Sequence, residues 1–163
     1  MRALEHVLRH NAWANRALLE HCLTLGPGAL DLEAAGTYGS LYGTLQHLVG
    51  GEQFYIGLLT DEMLGAPVHK MERRALDDLI VISAMTGARA IDIARTDDPD
   101  RVIGERDSDE WTTAGIVLAQ LVNHGNEHRA HAATILGANG RTPPKIGAWT
   151  YGIANGISKN DGD

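Results

Sequence analysis

The sequence predicts an all-α protein built as a four-helix bundle. Three observations lead there. Four long segments carry apolar residues at helical spacing. The breaks between them hold the Gly, Pro, Asp and Asn residues that stop helices, in loops of unequal length. The chain has 163 residues, 44% of them hydrophobic, which suits one domain with its own core.

The first helix is expected from about Ala3 to Leu25, where Leu4, Leu8, Leu18, Cys22 and Leu25 lie on or near one face. Gly26, Pro27 and Gly28 end it. A loop over residues 36–39 follows, and Ser40 is placed to cap a second helix from about Leu41 to Leu59. Its stripe is Leu41, Leu45, Leu48, Tyr55 and Leu59, and four glycines within it favour close approach of a neighbour. An irregular stretch runs from Gly65 to about Arg73, then a third helix from about Ala75 to Ala94. Residues 96–100 form a turn, and Arg101–Glu110 a short hairpin or a loop. Thr112 or Thr113 can cap the fourth helix, which continues to about Leu136 and stops at the Gly-Ala-Asn-Gly of residues 137–140. The tail from Arg141 holds Pro143, Pro144, Trp149 and Tyr151. It reads as irregular but partly packed, with the last six residues frayed.

Composition narrows the function. The net charge of -7, with no dense basic run, argues against binding nucleic acid through its phosphates. One cysteine, Cys22, allows no intrachain disulfide and fits a reducing compartment. No apolar stretch is long enough to span a membrane, and the N-terminus lacks the apolar core of a signal peptide. The expectation is a cytoplasmic protein.

The histidines are unevenly spread. Three of the eight fall in LVNHGNEHRAHAATIL, residues 121–136: His124, His128 and His131. At 100 degrees per residue, Val117, Leu121, His124, His128 and Ile135 share a narrow stripe with Ala132 beside it. Two imidazoles at i and i+4 on an inward face can converge on one metal ion; a hydrogen-bonded structural pair is the alternative. His131 stands at the stripe's edge. His6 and His10 form a second such pair, flanking their helix's apolar face as boundary residues, and His21 and His69 read as exposed. His47 shares a stripe with Gly51, Phe54 and Leu58 and reads alone as a boundary residue. Three neutral histidines would leave a coordination position open, the mark of a catalytic site. Zn, Ni, Fe and Mn all suit imidazole ligands.

Taken in order, HNAWANRALLE (10–20), GSLYGTLQHLVGGEQFYIGLL (39–59) and LVNHGNEHRAHAATILGANG (121–140) resemble the DinB-like family, also known as DinB/YfiT-like metalloenzymes. The resemblance spans most of the chain. It implies an up-down-down-up bundle and a divalent metal held by three histidines, here His47, His124 and His128. Ala130 and His131 stand where the family pattern has Gly and Gln, which makes His131 an alternative partner for His128. The resemblance also implies a low-molecular-weight thiol such as mycothiol or bacillithiol as co-substrate of an S-transferase or isomerase, and a homodimer. A metal-dependent hydrolase and a non-catalytic metal-binding stress protein are the competing readings.

Around these residues, Glu52 lies about 140 degrees from His47 and reads first as a surface or interhelix salt-bridge residue, with support of the ligands from behind as the alternative. Glu127 points to solvent. Asn123 and Asn126 can hydrogen-bond a histidine or a substrate. Arg129 reads as a surface pairing residue, or as the anchor for an anionic group. Trp13 and Tyr55 read as core. Trp149 and Tyr151 are expected either in a pocket wall, in a packed tail or in a dimer contact.

Overall fold

A computed structural model describes residues 3–26, 28–68, 73–106 and 109–159. Helix α1 spans Ala3–Leu23, α2 Leu41–Thr60, α3 Leu76–Thr96 and α4 Ala114–Ala138, and a short α5 spans Ala148–Ala154. α1 ends before Leu25 because the Thr24 N–H and hydroxyl both donate to the His21 carbonyl, at 3.0 and 2.7 Å. That turn folds back beside His21, which is half-buried with Nε2 out of water instead of exposed. His69 lies outside the described residues. Ser40 caps α2 as expected, its Oγ accepting the Gly43 N–H at 3.1 Å.

The stretch expected as a short hairpin or a loop contributes one strand of a hairpin. Strand β1 (Val102–Gly104) pairs antiparallel with β2 (Trp111–Thr113), Val102 opposite Thr113 and Gly104 opposite Trp111. The two threonines are therefore strand residues, and Thr113 makes no side-chain cap. Backbone carbonyls on the preceding turn do that work instead. Ala114 N–H donates to Arg101 O at 2.9 Å and Gly115 N–H to Pro99 O at 2.8 Å. The tail is not wholly irregular, since α5 forms within it; a helix of seven residues is too short for periodicity to reveal.

Cross-helix pairs define the topology. Glu5 meets Arg95 and Ala12 lies against Gly87, so α1 and α3 run antiparallel. Tyr42 bonds to Arg74, and Glu52 to Ser83 and Thr86, so α2 and α3 run parallel. Gly51 packs on His124 and Tyr55 on Gln120, so α2 and α4 are antiparallel. The order is up, down, down, up. Parallel α2 and α3 need a long connection, and α2 itself pins it. The Gln53 amide donates to the carbonyls of Leu64 and Ala66 at 2.6 and 3.1 Å and accepts the Val68 N–H at 2.9 Å.

The core has two apolar clusters. One gathers Leu18, Leu19, Leu45, Leu48, Leu79 and Ile135; the other gathers Leu8, Ile56, Ile93, Val117 and Leu121. Along every long helix a polar stretch separates them: Asn11 and Asn15 on α1, Glu52 on α2, Ser83 and Thr86 on α3, Arg129 on α4. Leu4, expected on or near the inward face, is 37% exposed, at the rim of a small cavity it shares with Ile93, Ala114 and Leu118.

Candidate metal centre

α2 and α4 pack closely, and the reason is local. Gly51 has no side chain, and the His124 ring occupies the space: a Cβ there would lie 2.7 Å from Nε2 and 2.9 Å from Nδ1. The antiparallel pairing then sets His47 opposite the turn that carries His124 and His128. Ring centroids are 5.0 Å apart for His47 and His124, 4.6 Å for His47 and His128, and 4.3 Å for His124 and His128. One ligand atom from each lies within 4.8 Å of the others, the spacing of a group able to hold a metal ion. The donor set is borderline and nitrogenous, which suits Zn and its first-row neighbours.

His124 and His128 are buried and His47 is half-buried. Burial pushes His128 down to about 4, and the nearby His47 and His131 push the same way. The imidazole is thus held neutral, the form that donates a lone pair to a metal. Its Nδ1 is buried without a hydrogen-bond partner. Such an atom is expensive to bury and fits a site where a ligand or ion completes the polar pairing.

His131 stays outside the trio. Its ring sits edge-on to His128 at 5.3 Å, and it belongs to no ligand group with the others. Tyr55 packs edge-on against His124 at 5.5 Å, with its hydroxyl 3.4 Å from the Gln120 amide. Tyr38, from the loop before α2, stacks on His47 with centroids 4.0 Å apart and planes 16° from parallel, and meets His128 edge-on at 5.2 Å. Nothing in the sequence pattern points to Tyr38, because a four-residue loop has no periodicity. Phe54, from the His47 stripe, is 55% exposed, so that stripe marks the outer margin of the α2–α4 groove.

Behind the histidines the polar stretches of the four helices join. The carboxylate of Glu52, at 0% exposure, is no surface residue. Its Oε1 accepts from the side-chain amides of Asn11 and Asn15 at 3.1 and 2.7 Å; its Oε2 accepts from Ser83 and Thr86 at 3.0 and 2.9 Å. Burial pushes its pKa up, opposed by the Thr86 and Ser83 hydroxyls, the Arg129 charge and the Asn11 amide. Arg129 is likewise buried. Its guanidinium donates to the Asn11 carbonyl at 2.7 Å, to that of Asn15, and to Asn126 at 2.5 Å. Asn11 and Asn15 therefore each turn the NH₂ to the anion and the oxygen to the cation. Gly125 leaves the room: a Cβ there would lie 2.8 Å from Arg129 Nη1. Arg129 is thereby committed to the core and unavailable to a substrate anion. Asn123 and Glu127 face solvent.

Trp149 and Tyr151 line a groove elsewhere. With His6, Val7, His10 and Val122 they border about 520 Å³ between α1, α4 and the tail, and none of the three clustered histidines takes part. Tyr151 is buried against Trp13 and His10, whose Nε2 lies 2.9 Å from the Ile146 carbonyl, while Trp149 is 78% exposed. Cys22 is buried in the first apolar cluster, and burial pushes its thiol up to about 12. Among the described residues, no helix is long and apolar enough to cross a membrane.

A search of curated proteins finds no match. The model of the DinB family matches residues 1–155, nearly the whole chain, including all three clustered histidines and the Asn, Glu and Arg residues behind them. With that match and this bundle, the chain belongs to the DinB family.

Proposed function

We propose that His47, His124 and His128 hold a divalent metal, and that the protein is a metal-dependent enzyme transferring or isomerising by means of a low-molecular-weight thiol. The observation that carries this reading is the convergence of three imidazoles on one point, with solvent reaching the His47 side. A metal in such a site supplies Lewis acidity, which lowers the pKa of a thiol and favours its thiolate.

This chain's residues supply the rest. The three histidines hold the ion, and the bundle interior keeps water from the buried side. The sulfur comes from outside, since Cys22 is buried with its pKa pushed well up. In transfer, the thiol's S–H proton passes to bulk water, a bond forms from sulfur to the electrophilic carbon, and the leaving group departs with its bonding pair. A hydrolase would require a carboxylate close to the ion as general base. Glu52 points into the core and Glu127 into solvent, so the thiol reading is preferred. The same reading expects small-molecule partners rather than nucleic acid or membrane, a cytoplasmic setting and a homodimer.

The test is turnover of an electrophile such as 1-chloro-2,4-dinitrobenzene with a panel of low-molecular-weight thiols, using protein loaded with Zn, Ni, Fe or Mn and protein treated with chelator. Metal-dependent conjugation supports the proposal. Metal binding without turnover across the panel leaves the storage or stress reading in its place.

A further inference from the structure

We infer that Tyr38 is a positioning residue for the metal centre: its ring holds His47 in the orientation that completes the three-histidine set. This rests on the metal-site reading above and adds a residue to it.

The three histidines are not equally buried. The bundle interior buries His124 and His128, and Gly51 fits the His124 ring closely. His47 lies on the outer margin of α2, half-buried, on the stripe that continues to exposed Phe54 and Leu58. A side chain in that position keeps rotamer freedom unless a neighbour removes it. Tyr38 is one such neighbour, beside the His124 and His128 rings. Its ring lies parallel to the imidazole at 4.0 Å and edge-on to His128 at 5.2 Å, so it touches two of the three histidines while remaining 50% exposed itself.

The loop that carries Tyr38 is specific. Gly36 and Gly39 both take positive φ, 79° and 100°, which L side chains rarely adopt. Two residues stand between them. Thr37 Oγ1 donates to the Ala34 carbonyl at 2.8 Å, and the Leu41 N–H donates to the Leu32 carbonyl at 2.8 Å, tying the loop across its base. The outcome is a phenol ring delivered onto an imidazole by a backbone conformation that two glycines permit. An incidental surface aromatic would have no reason to be held in this way.

The experiment uses the full, tag-free chain, its Tyr38→Phe and Tyr38→Ala variants, and Zn(II) and Co(II) as probes. Three quantities are read: Zn affinity by competition with a chromogenic chelator, the rate of Zn release into excess EDTA, and the visible spectrum of the Co(II) form. Apoprotein melting is the control. Ring pairs of this kind are worth a modest free energy, so Tyr38→Ala should weaken Zn binding about three- to tenfold, chiefly through faster release. It should also alter the Co(II) bands, with the apoprotein melting point unchanged. Tyr38→Phe should match the wild type throughout, because the ring and not the hydroxyl does the positioning.

Wild-type metal readouts in Tyr38→Ala overturn the inference while sparing the metal site. A loss in Tyr38→Phe equal to that in Tyr38→Ala overturns it in favour of the hydroxyl. An equal fall in apoprotein melting shows a merely structural role and also overturns it. Failure of the wild type to bind either metal overturns both the inference and the reading beneath it.

Discussion

Gly51→Ala sets two effects of known sign against each other. In an open helix interior, alanine in place of glycine stabilises by about 1 kcal/mol. At residue 51 there is no space: the new Cβ would sit 2.7 Å from His124 Nε2, 2.9 Å from Nδ1 and closer still to Cε1. Contact distances between such atoms are about 3.5–4.0 Å, so the ring must retreat by about 1 Å or α2 and α4 must part. Overpacking of this kind costs about 1–3 kcal/mol, which cancels or exceeds the helix gain. The larger effect falls on metal binding. Metal–nitrogen distances tolerate about ±0.2 Å, several times less than that displacement. Changes one shell further out already lower metal affinity by about 10–100-fold, so moving a ligand should lower it by about 100-fold or more. The assays are Zn titration against a competing chelator and melting of the apoprotein. Wild-type Zn affinity together with a melting point raised by the roughly 2–4 °C that 1 kcal/mol represents in a chain of this size would refute the reasoning.

Other expectations follow from the same structure. Glu52→Ala leaves the Arg129 guanidinium buried without its anion and should destabilise the protein by about 3–5 kcal/mol in urea denaturation, whereas Glu52→Gln, still able to accept from the amides, should lose less. Zn at about 100 times its dissociation constant should add about 2.7 kcal/mol of stability, reversed by EDTA and absent in His128→Ala, as read by differential scanning fluorimetry. The Glu5 carboxyl is held below its ordinary value of 4.5, first by its bond from Arg95. Its stabilising share is present above that value and lost as pH falls through the lowered one, so Glu5→Gln should flatten acid unfolding in that window. Cys22 should resist a thiol reagent in the native protein and react at once in denaturant; rapid native labelling would contradict its burial.

What the sequence made legible was whatever repeats with a helical period. The four long helices and the inward stripe of His124 and His128 are of that kind, and the stripe from Val117 to Ile135 is buried as expected. The surface reading of Glu52 fails for an instructive reason, while its interhelix alternative holds. An angle of 140 degrees from His47 means solvent only if a helix has one buried side, and α2 has two, one on the groove and one on the bundle axis. The same mistake put Arg129 on the surface. The tie between Asn11, Asn15, Glu52 and Arg129 joins residues up to 118 positions apart, and no local pattern announces such a pairing. Tyr38 and α5 escaped because a loop and a seven-residue helix are too short to show a period.

The polar stretch between the two apolar clusters also has a consequence for alignment. Leucine-rich helix faces tolerate sliding, since an apolar contact shifted by one turn, about 5.4 Å, is still an apolar contact. Charged and amide groups do not tolerate it. If α4 slid along α2 by one turn, Arg129 would face leucines and Glu52 would lose its cation, each buried unpaired. The stretch acts as a key cut into an otherwise greasy shaft. It permits one vertical setting of the four helices, and in that setting His47 is level with His124 and His128.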